Sequence, residues 1–109
     1  MAQDRCYVIA IFSPLSEHAI EVKSILTSII PEVHEEPGCE IYSLHEDVQG
    51  RLVFVESWTS KDLWEQHKGH STVERILALT KPHLAREVEV IEMYSVPAGK
   101  SEKGLLQPA

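Results

Sequence analysis

Residues 6–12 read CYVIAIF, and residues 51–58 read RLVFVESW. Both stretches have an unbroken apolar centre of β-branched and aromatic residues, which is typical of strands that are covered on both faces. Two further stretches, residues 39–45 and 87–96, carry glutamates of the kind that edge strands tolerate. We therefore predict a four-stranded sheet in which the first and third strands are central.

A helical pattern follows the first strand. Apolar residues recur at spacings of three and four from Leu15 to Val33, which predicts an amphipathic helix. Its cap is expected at Ser13-Pro14, with Ser16 as a later alternative. Pro31 lies inside this pattern and is expected to kink the helix or to start a new turn. The helix should end before Pro37.

Two more helix starts follow the third strand. The patterns Thr59-x-x-Asp62 and Ser71-x-x-Glu74 resemble capping boxes and predict short helices over residues 60–68 and 72–81. With these two counted as one segment, the order is βαββαβ, which predicts an α+β, ferredoxin-like sandwich. We expect one domain over residues 1–96 and a flexible tail over residues 97–109.

Composition restricts the class of protein. The 109 residues include 10 Lys or Arg and 17 Asp or Glu, for a net charge of −7 with neutral histidines. Such a chain, without a basic run, repels phosphate backbones, so we expect no nucleic-acid partner. The apolar runs are too short to span a bilayer, so we expect no membrane partner and a cytoplasmic location. Cys6 and Cys39 are expected to be free thiols.

Both faces of the central strands are apolar. Helices on a four-stranded sheet can cover one of them, so the other face needs a partner sheet. The sequence therefore predicts a homodimer.

A set of residues between positions 36 and 67 carries a family resemblance. The matching positions are Glu36-Pro37-Gly38-Cys39, Tyr42, Glu56-x-Trp58, Leu63 and His67. With them the chain resembles the antibiotic biosynthesis monooxygenase domain family over about residues 6–96. The resemblance implies a dimeric α+β barrel with a pocket in each subunit. The members of that family include cofactor-free oxygenases of quinols and polyketide phenols, haem-degrading enzymes, an enzyme that processes a bacterial signalling molecule, and members without an assigned activity.

Two departures from the family pattern narrow the function. Some relatives have a second histidine five positions after the one that matches His67, where this chain has Thr72, and His70 lies nearby at a different helical phase. Haem-degrading relatives use an Asn that this chain lacks and a His where it has Leu77. The resemblance therefore favours a cofactor-independent monooxygenase that uses O₂ on a small aromatic or quinol-like substrate. The alternative is a non-catalytic ligand-binding or stress-response dimer.

The candidate catalytic residues are His67 and Glu56. A neutral imidazole can take a phenolic proton near neutral pH, although His67 also falls near a helix end, where it could simply complement the dipole. Glu56 ends an apolar strand face, so it could orient a histidine or hold a proton. It could equally cap the next helix or pair with Arg51 or Lys61.

The candidate substrate-binding residues are Trp58, Tyr42 and His70. Trp58 could form a wall for an aromatic substrate or belong to the core, and Tyr42 could donate a hydrogen bond or be an ordinary strand tyrosine. We expect no metal at His67 and His70, because no third ligand has motif spacing.

The other four histidines do not lie at spacings that match a catalytic or metal-binding motif. His18, His34, His45 and His83 are expected at the surface or at helix ends.

Overall fold

The fold combines strands and helices in one chain. The computed structural model describes residues 4–107, and the ends of the predicted domain and tail, residues 1–3 and 108–109, lie outside the described part. The elements are β1 (Cys6–Phe12), α1 (Ala19–His34), β2 (Cys39–Glu46), β3 (Leu52–Trp58), α2 (Lys61–Lys68), α3 (Ser71–Thr80), β4 (Glu89–Met93) and a short α4 (Ser101–Gly104). Single 3₁₀ turns at Ser16–His18 and Lys81–His83 precede α1 and follow α3. This is the predicted βαββαβ order.

The sheet is antiparallel in the order β2-β3-β1-β4. The continuously apolar strands β1 and β3 are therefore central, and the glutamate-bearing strands are the edges, as predicted. In the register between β1 and β3, Val8 lies opposite Glu56 and Ala10 lies opposite Phe54. These four side chains therefore share one face of the sheet.

Helix α1 buries the part of the predicted stripe that runs from Val22 to Val33. Val22, Leu26, Ile29 and Val33 are all 3% exposed or less and join the same core as the inner face of the sheet. Their spacings of four, three and four residues place them on one side of the helix. Truncation of such a side chain to Ala typically costs about 2–5 kcal/mol.

The start of α1 differs from the prediction. The chain is extended at Pro14, which forms an isolated antiparallel bridge with Leu84, and the Leu15 N–H donates to the backbone oxygen of His83. These contacts hold the segment against another part of the chain, so the helix begins at Ala19 and not at the Ser13-Pro14 signal. Once formed, α1 is continuous through Pro31 to His34.

Both later caps are one residue away from their predicted positions. Ser60, not Thr59, accepts the cap hydrogen bond at α2. Thr59 is still bonded to the start of β2, since its N–H donates to the Gly38 oxygen. At α3 the cap is His70, not Ser71; its ring accepts from the Thr72 N–H.

The second face of the sheet is only partly covered. Ile9, Ile11, Val53 and Val55 point to this face and are half-buried. At one end of it the Ser57 hydroxyl bonds to Gln107, so the C-terminal segment reaches that end. Flexibility of residues 97–109 stays a prediction. Within residues 4–107, none of the helices is long and apolar enough to cross a membrane.

We expect the half-buried face to be the interface of a homodimer. Val53→Lys and Val55→Lys should each give monomers, because an unpaired charge in an apolar interface is costly. Light scattering measures the mass, and Val48→Lys in the fully exposed β2–β3 turn is the matched control. A monomeric wild type would contradict the dimer, and two dimeric variants would contradict the choice of face.

Gly38 should be far less replaceable than Gly50. Both have a φ of +82°, but a Cβ at Gly38 would lie 2.6 Å from Leu63 Cδ1, whereas a Cβ at Gly50 would meet nothing within 4 Å. Each alanine variant carries the backbone strain of this conformation. Gly38→Ala should lose about 1–3 kcal/mol more than Gly50→Ala, the usual cost of overpacking. Urea unfolding measures both, and equal losses would contradict the close contact.

Candidate active site

A cavity of about 700 Å³ lies between the inner face of the sheet, helices α2 and α3, and the segment after Leu84. Aliphatic and aromatic side chains form most of its wall. The ionisable and hydroxyl groups that line it are Tyr42, Glu56, His67, Lys68, Thr80, Lys81, Arg86 and Glu87. A mostly apolar cavity with a few polar groups is typical of a small-molecule site.

His67 reaches this cavity from the last turn of α2. It is 6% exposed, and its Nδ1 lies 2.7 Å from Oε1 of Glu36. Trp58 stacks on the imidazole with a centroid distance of 4.5 Å. Because the carboxylate can only accept, Nδ1 carries the hydrogen and Nε2 is the acceptor. Of the residues that the structure describes, none hydrogen-bonds to Nε2, and this nitrogen is not sealed from solvent.

Glu36 lies in the turn between α1 and β2, and both of its oxygens are used. Oε2 accepts a hydrogen bond of 2.7 Å from the hydroxyl of Thr72 at the start of α3. His70 Nδ1 is 3.7 Å from the same oxygen, beyond hydrogen-bonding distance. The carboxylate therefore fixes the His67 ring through one oxygen and α3 through the other.

Burial sets the protonation of His67. It lowers the pKa of the imidazole below the usual 6.5, and the nearby Glu36 carboxylate opposes this change without cancelling it. His67 is therefore neutral at neutral pH, with its Nε2 lone pair available as a base.

Glu56 lies on β3 between Val8 and Tyr42 of the neighbouring strands. It is 4% exposed and accepts a 3.0 Å hydrogen bond from the indole Nε1 of Trp58. Burial raises the pKa of this carboxyl from 4.5 to about 7, although the Trp58 bond acts in the other direction. Glu56 can therefore exchange a proton near neutral pH.

Tyr42 completes the polar part of the inner face. Its ring stacks on Phe54 at 4.4 Å, and burial raises the pKa of its phenol above the usual value, with Glu56 adding to the effect. The phenol stays protonated, and none of residues 4–107 hydrogen-bonds to it. It can therefore donate to a bound molecule.

Residues 5–79 match the sequence profile of the antibiotic biosynthesis monooxygenase family. The chain belongs to this family. Among solved structures it is similar to Rv0793 from Mycobacterium tuberculosis, with 26% identity, a TM-score of 0.81, and coverage of 89% of this chain and 100% of that one.

Two other solved structures show the same similarity. A protein named antibiotic biosynthesis monooxygenase is 26% identical, with a TM-score of 0.78 and coverage of 84% and 99% of the two chains. A conserved protein from Methanosarcina mazei Go1 shares the fold at 22% identity, with a TM-score of 0.78 and coverage of 84% and 93%. No curated protein matches the sequence significantly.

Within this family fold, three of the five predicted site residues line the cavity: Tyr42, Glu56 and His67. Trp58 is fully buried behind His67 and does not line it. His70 has a side chain that is 47% exposed and caps α3. The roles given to these residues stay predictions.

The expected pairings of Glu56 are corrected. Glu36, not Glu56, holds the histidine, and Ser60 provides the cap of α2. The two cations proposed as partners of Glu56 are paired elsewhere, Arg51 with Asp47 and Lys61 with Glu92. Sequence reasoning missed the role of Glu36, although this residue opens the Glu-Pro-Gly-Cys motif of the family resemblance.

Glu56 should make the protein less stable as pH rises. Its pKa is about 7 in the folded state and near 4.5 when exposed, as in the unfolded chain. Between pH 4.5 and about pH 7, Glu56 therefore carries a proton in the folded state that it has lost in the unfolded state. The free energy of unfolding therefore falls as pH increases through this window, by up to about 3 kcal/mol. Glu56→Gln keeps an acceptor for Trp58 and should remove this contribution.

Urea unfolding at about pH 5 and about pH 8 measures the difference in both proteins. An identical pH dependence in wild type and Glu56→Gln would contradict the raised pKa.

Proposed function

We propose that this chain is a cofactor-independent monooxygenase that oxidises a small phenol or hydroquinone with O₂. The observation that carries the proposal is the 2.7 Å bond between Glu36 and Nδ1 of His67, which leaves Nε2 as a base at an apolar cavity. Membership of the monooxygenase family supports the same reaction class.

In the proposed first step, Nε2 of His67 takes a phenolic proton from the substrate. Glu36 stabilises the imidazolium that forms, in the way that a carboxylate supports a catalytic histidine elsewhere. The resulting phenolate is electron-rich enough to pass one electron to O₂. The substrate radical and superoxide then combine at a ring carbon, and the imidazolium returns a proton to give a hydroperoxide.

In the second step the hydroperoxide eliminates water. The ring carbon loses its hydrogen as a proton while the O–O bond breaks, so that a carbonyl and one water are formed. For a hydroquinone, the sum is hydroquinone plus O₂ giving hydroxyquinone plus water. The substrate supplies all four electrons, and the reaction therefore needs no external reductant.

The remaining cavity residues suit an anionic aromatic intermediate. Tyr42 can donate its phenolic hydrogen to the substrate oxygen, and the apolar wall excludes water from the reactive species. Lys68, Lys81 and Arg86 line the same cavity in a protein of net charge −7. These cations favour binding of the phenolate.

A non-catalytic ligand-binding dimer is the second candidate. It is favoured by Thr72, which occupies the position of the second histidine of some relatives and is fully buried against Glu36. Such a protein would bind the same aromatic molecules without consuming O₂.

Oxygen uptake with a panel of hydroquinones and polyhydroxylated aromatics tests the proposal, with no flavin, haem or metal added. His67→Ala should lose about 10²- to 10⁴-fold in kcat, the usual contribution of a positioned base. His70→Ala is the matched control and should change kcat much less, because this ring does not line the cavity. In the wild type, kcat/KM should rise with pH and level off by neutral pH, since the pKa of His67 is below 6.5.

Equal rates in wild type and His67→Ala, on a substrate that turns over well, would contradict His67 as the base. Saturable binding of the panel compounds without oxygen uptake would favour the second candidate.

A further inference from the structure

Three potential metal ligands meet at the surface where α1 begins. Nδ1 of His18 lies 2.9 Å from Oε1 of Glu21, and Nε2 of His83 lies 3.4 Å from Oε2 of the same carboxylate. One ligand atom from each residue falls within 4.8 Å of the others. The two imidazole rings are 4.7 Å apart and tilted by 37°.

The backbone brings these groups together before any ligand binds. His18 and Glu21 lie one helical turn apart, and His83 ends the 3₁₀ turn after α3. The backbone oxygen of His83 accepts from Leu15, and the Ala85 N–H donates to Ser13 at 2.7 Å. These two hydrogen bonds flank the bridge between Pro14 and Leu84 and fix the two segments next to the cluster. The segments are therefore already ordered, and binding of an ion costs little further conformational entropy.

The types of the three ligand atoms indicate which metal ions would bind. Two imidazole nitrogens and one carboxylate oxygen are ligands that zinc and neighbouring divalent transition metals favour. Tetrahedral bonds of about 2.1 Å would place the ligand atoms about 3.4 Å apart. The two histidine–glutamate atom pairs, at 2.9 Å and 3.4 Å, lie close to this separation.

We propose that His18, Glu21 and His83 form a binding site for one divalent transition-metal ion, with Zn²⁺ as the expected occupant. The three side chains are between one quarter and about half exposed, so water can complete the coordination. None of the three lines the cavity, and the proposal is therefore independent of the oxygenase chemistry.

The ion would act as a cross-link. It would join the start of α1 to the segment after α3, next to the bridge between Pro14 and Leu84. Leu84 lines the cavity, so the metal would also hold one part of the cavity wall in place. The expected effect is a higher Tm of the metal-bound protein.

The test uses the untagged chain of 109 residues, freed of metal with a chelator. Calorimetric titration with Zn²⁺ should give one ion per chain, and Co²⁺ should give visible absorption bands from imidazole and carboxylate ligation. Glu21→Gln and His83→Gln should each weaken Zn²⁺ binding at least about tenfold and remove the rise in Tm. Glu17→Gln is the matched control, because Glu17 is an exposed glutamate one turn earlier that is outside the cluster.

Three results would overturn the site. The first is a lack of stoichiometric Zn²⁺ binding to the wild type at micromolar protein. The second is unchanged binding in Glu21→Gln and His83→Gln. The third is binding that His67→Gln abolishes and His83→Gln does not, which would place the ion beside Glu36. Circular dichroism of each variant shows whether its fold is intact.

Discussion

The buried carboxylate of Glu36 joins three parts of the chain that are distant in sequence. It lies in the turn between α1 and β2 and accepts hydrogen bonds from His67 on α2 and Thr72 on α3. A buried carboxylate is tolerated only when donors replace its water, so loss of either donor would leave an uncompensated polar group. The same contact holds the helices in place and sets the tautomer of His67. Stability and the proposed chemistry thus depend on one side chain.

Most of the fold could be predicted because the spacing of apolar residues along the sequence indicates the strands and helices. The apolar runs of β1 and β3 indicated the central strands, and the stripe from Val22 to Val33 indicated the buried side of α1. The helix starts were less predictable. Thr59 and Ser60 are both good caps, and the local pattern does not choose between them. In the structure Thr59 donates its N–H to Gly38, 21 positions earlier, and Ser60 caps α2.

The candidate site was predictable where it follows a strand face. Glu56 lies on the inner face by the period of two, and Tyr42 faces it across β2 and β3. The partner of His67 was not predictable in this way, because Glu36 lies in a turn, 31 positions before the histidine. Turn residues have no hydrophobic period, so only the packed structure reveals what they contact.

The two buried carboxyl groups differ in a way that suits a proton-transfer site. Glu36 accepts two hydrogen bonds and lies behind His67, outside the cavity lining. Glu56 accepts one, from Trp58, and lines the cavity with a pKa raised to about 7. Different surroundings therefore divide the work between groups of the same chemistry. One carboxylate supports the imidazole, while the other can stay uncharged beside a bound molecule and keep the cavity apolar until a proton moves.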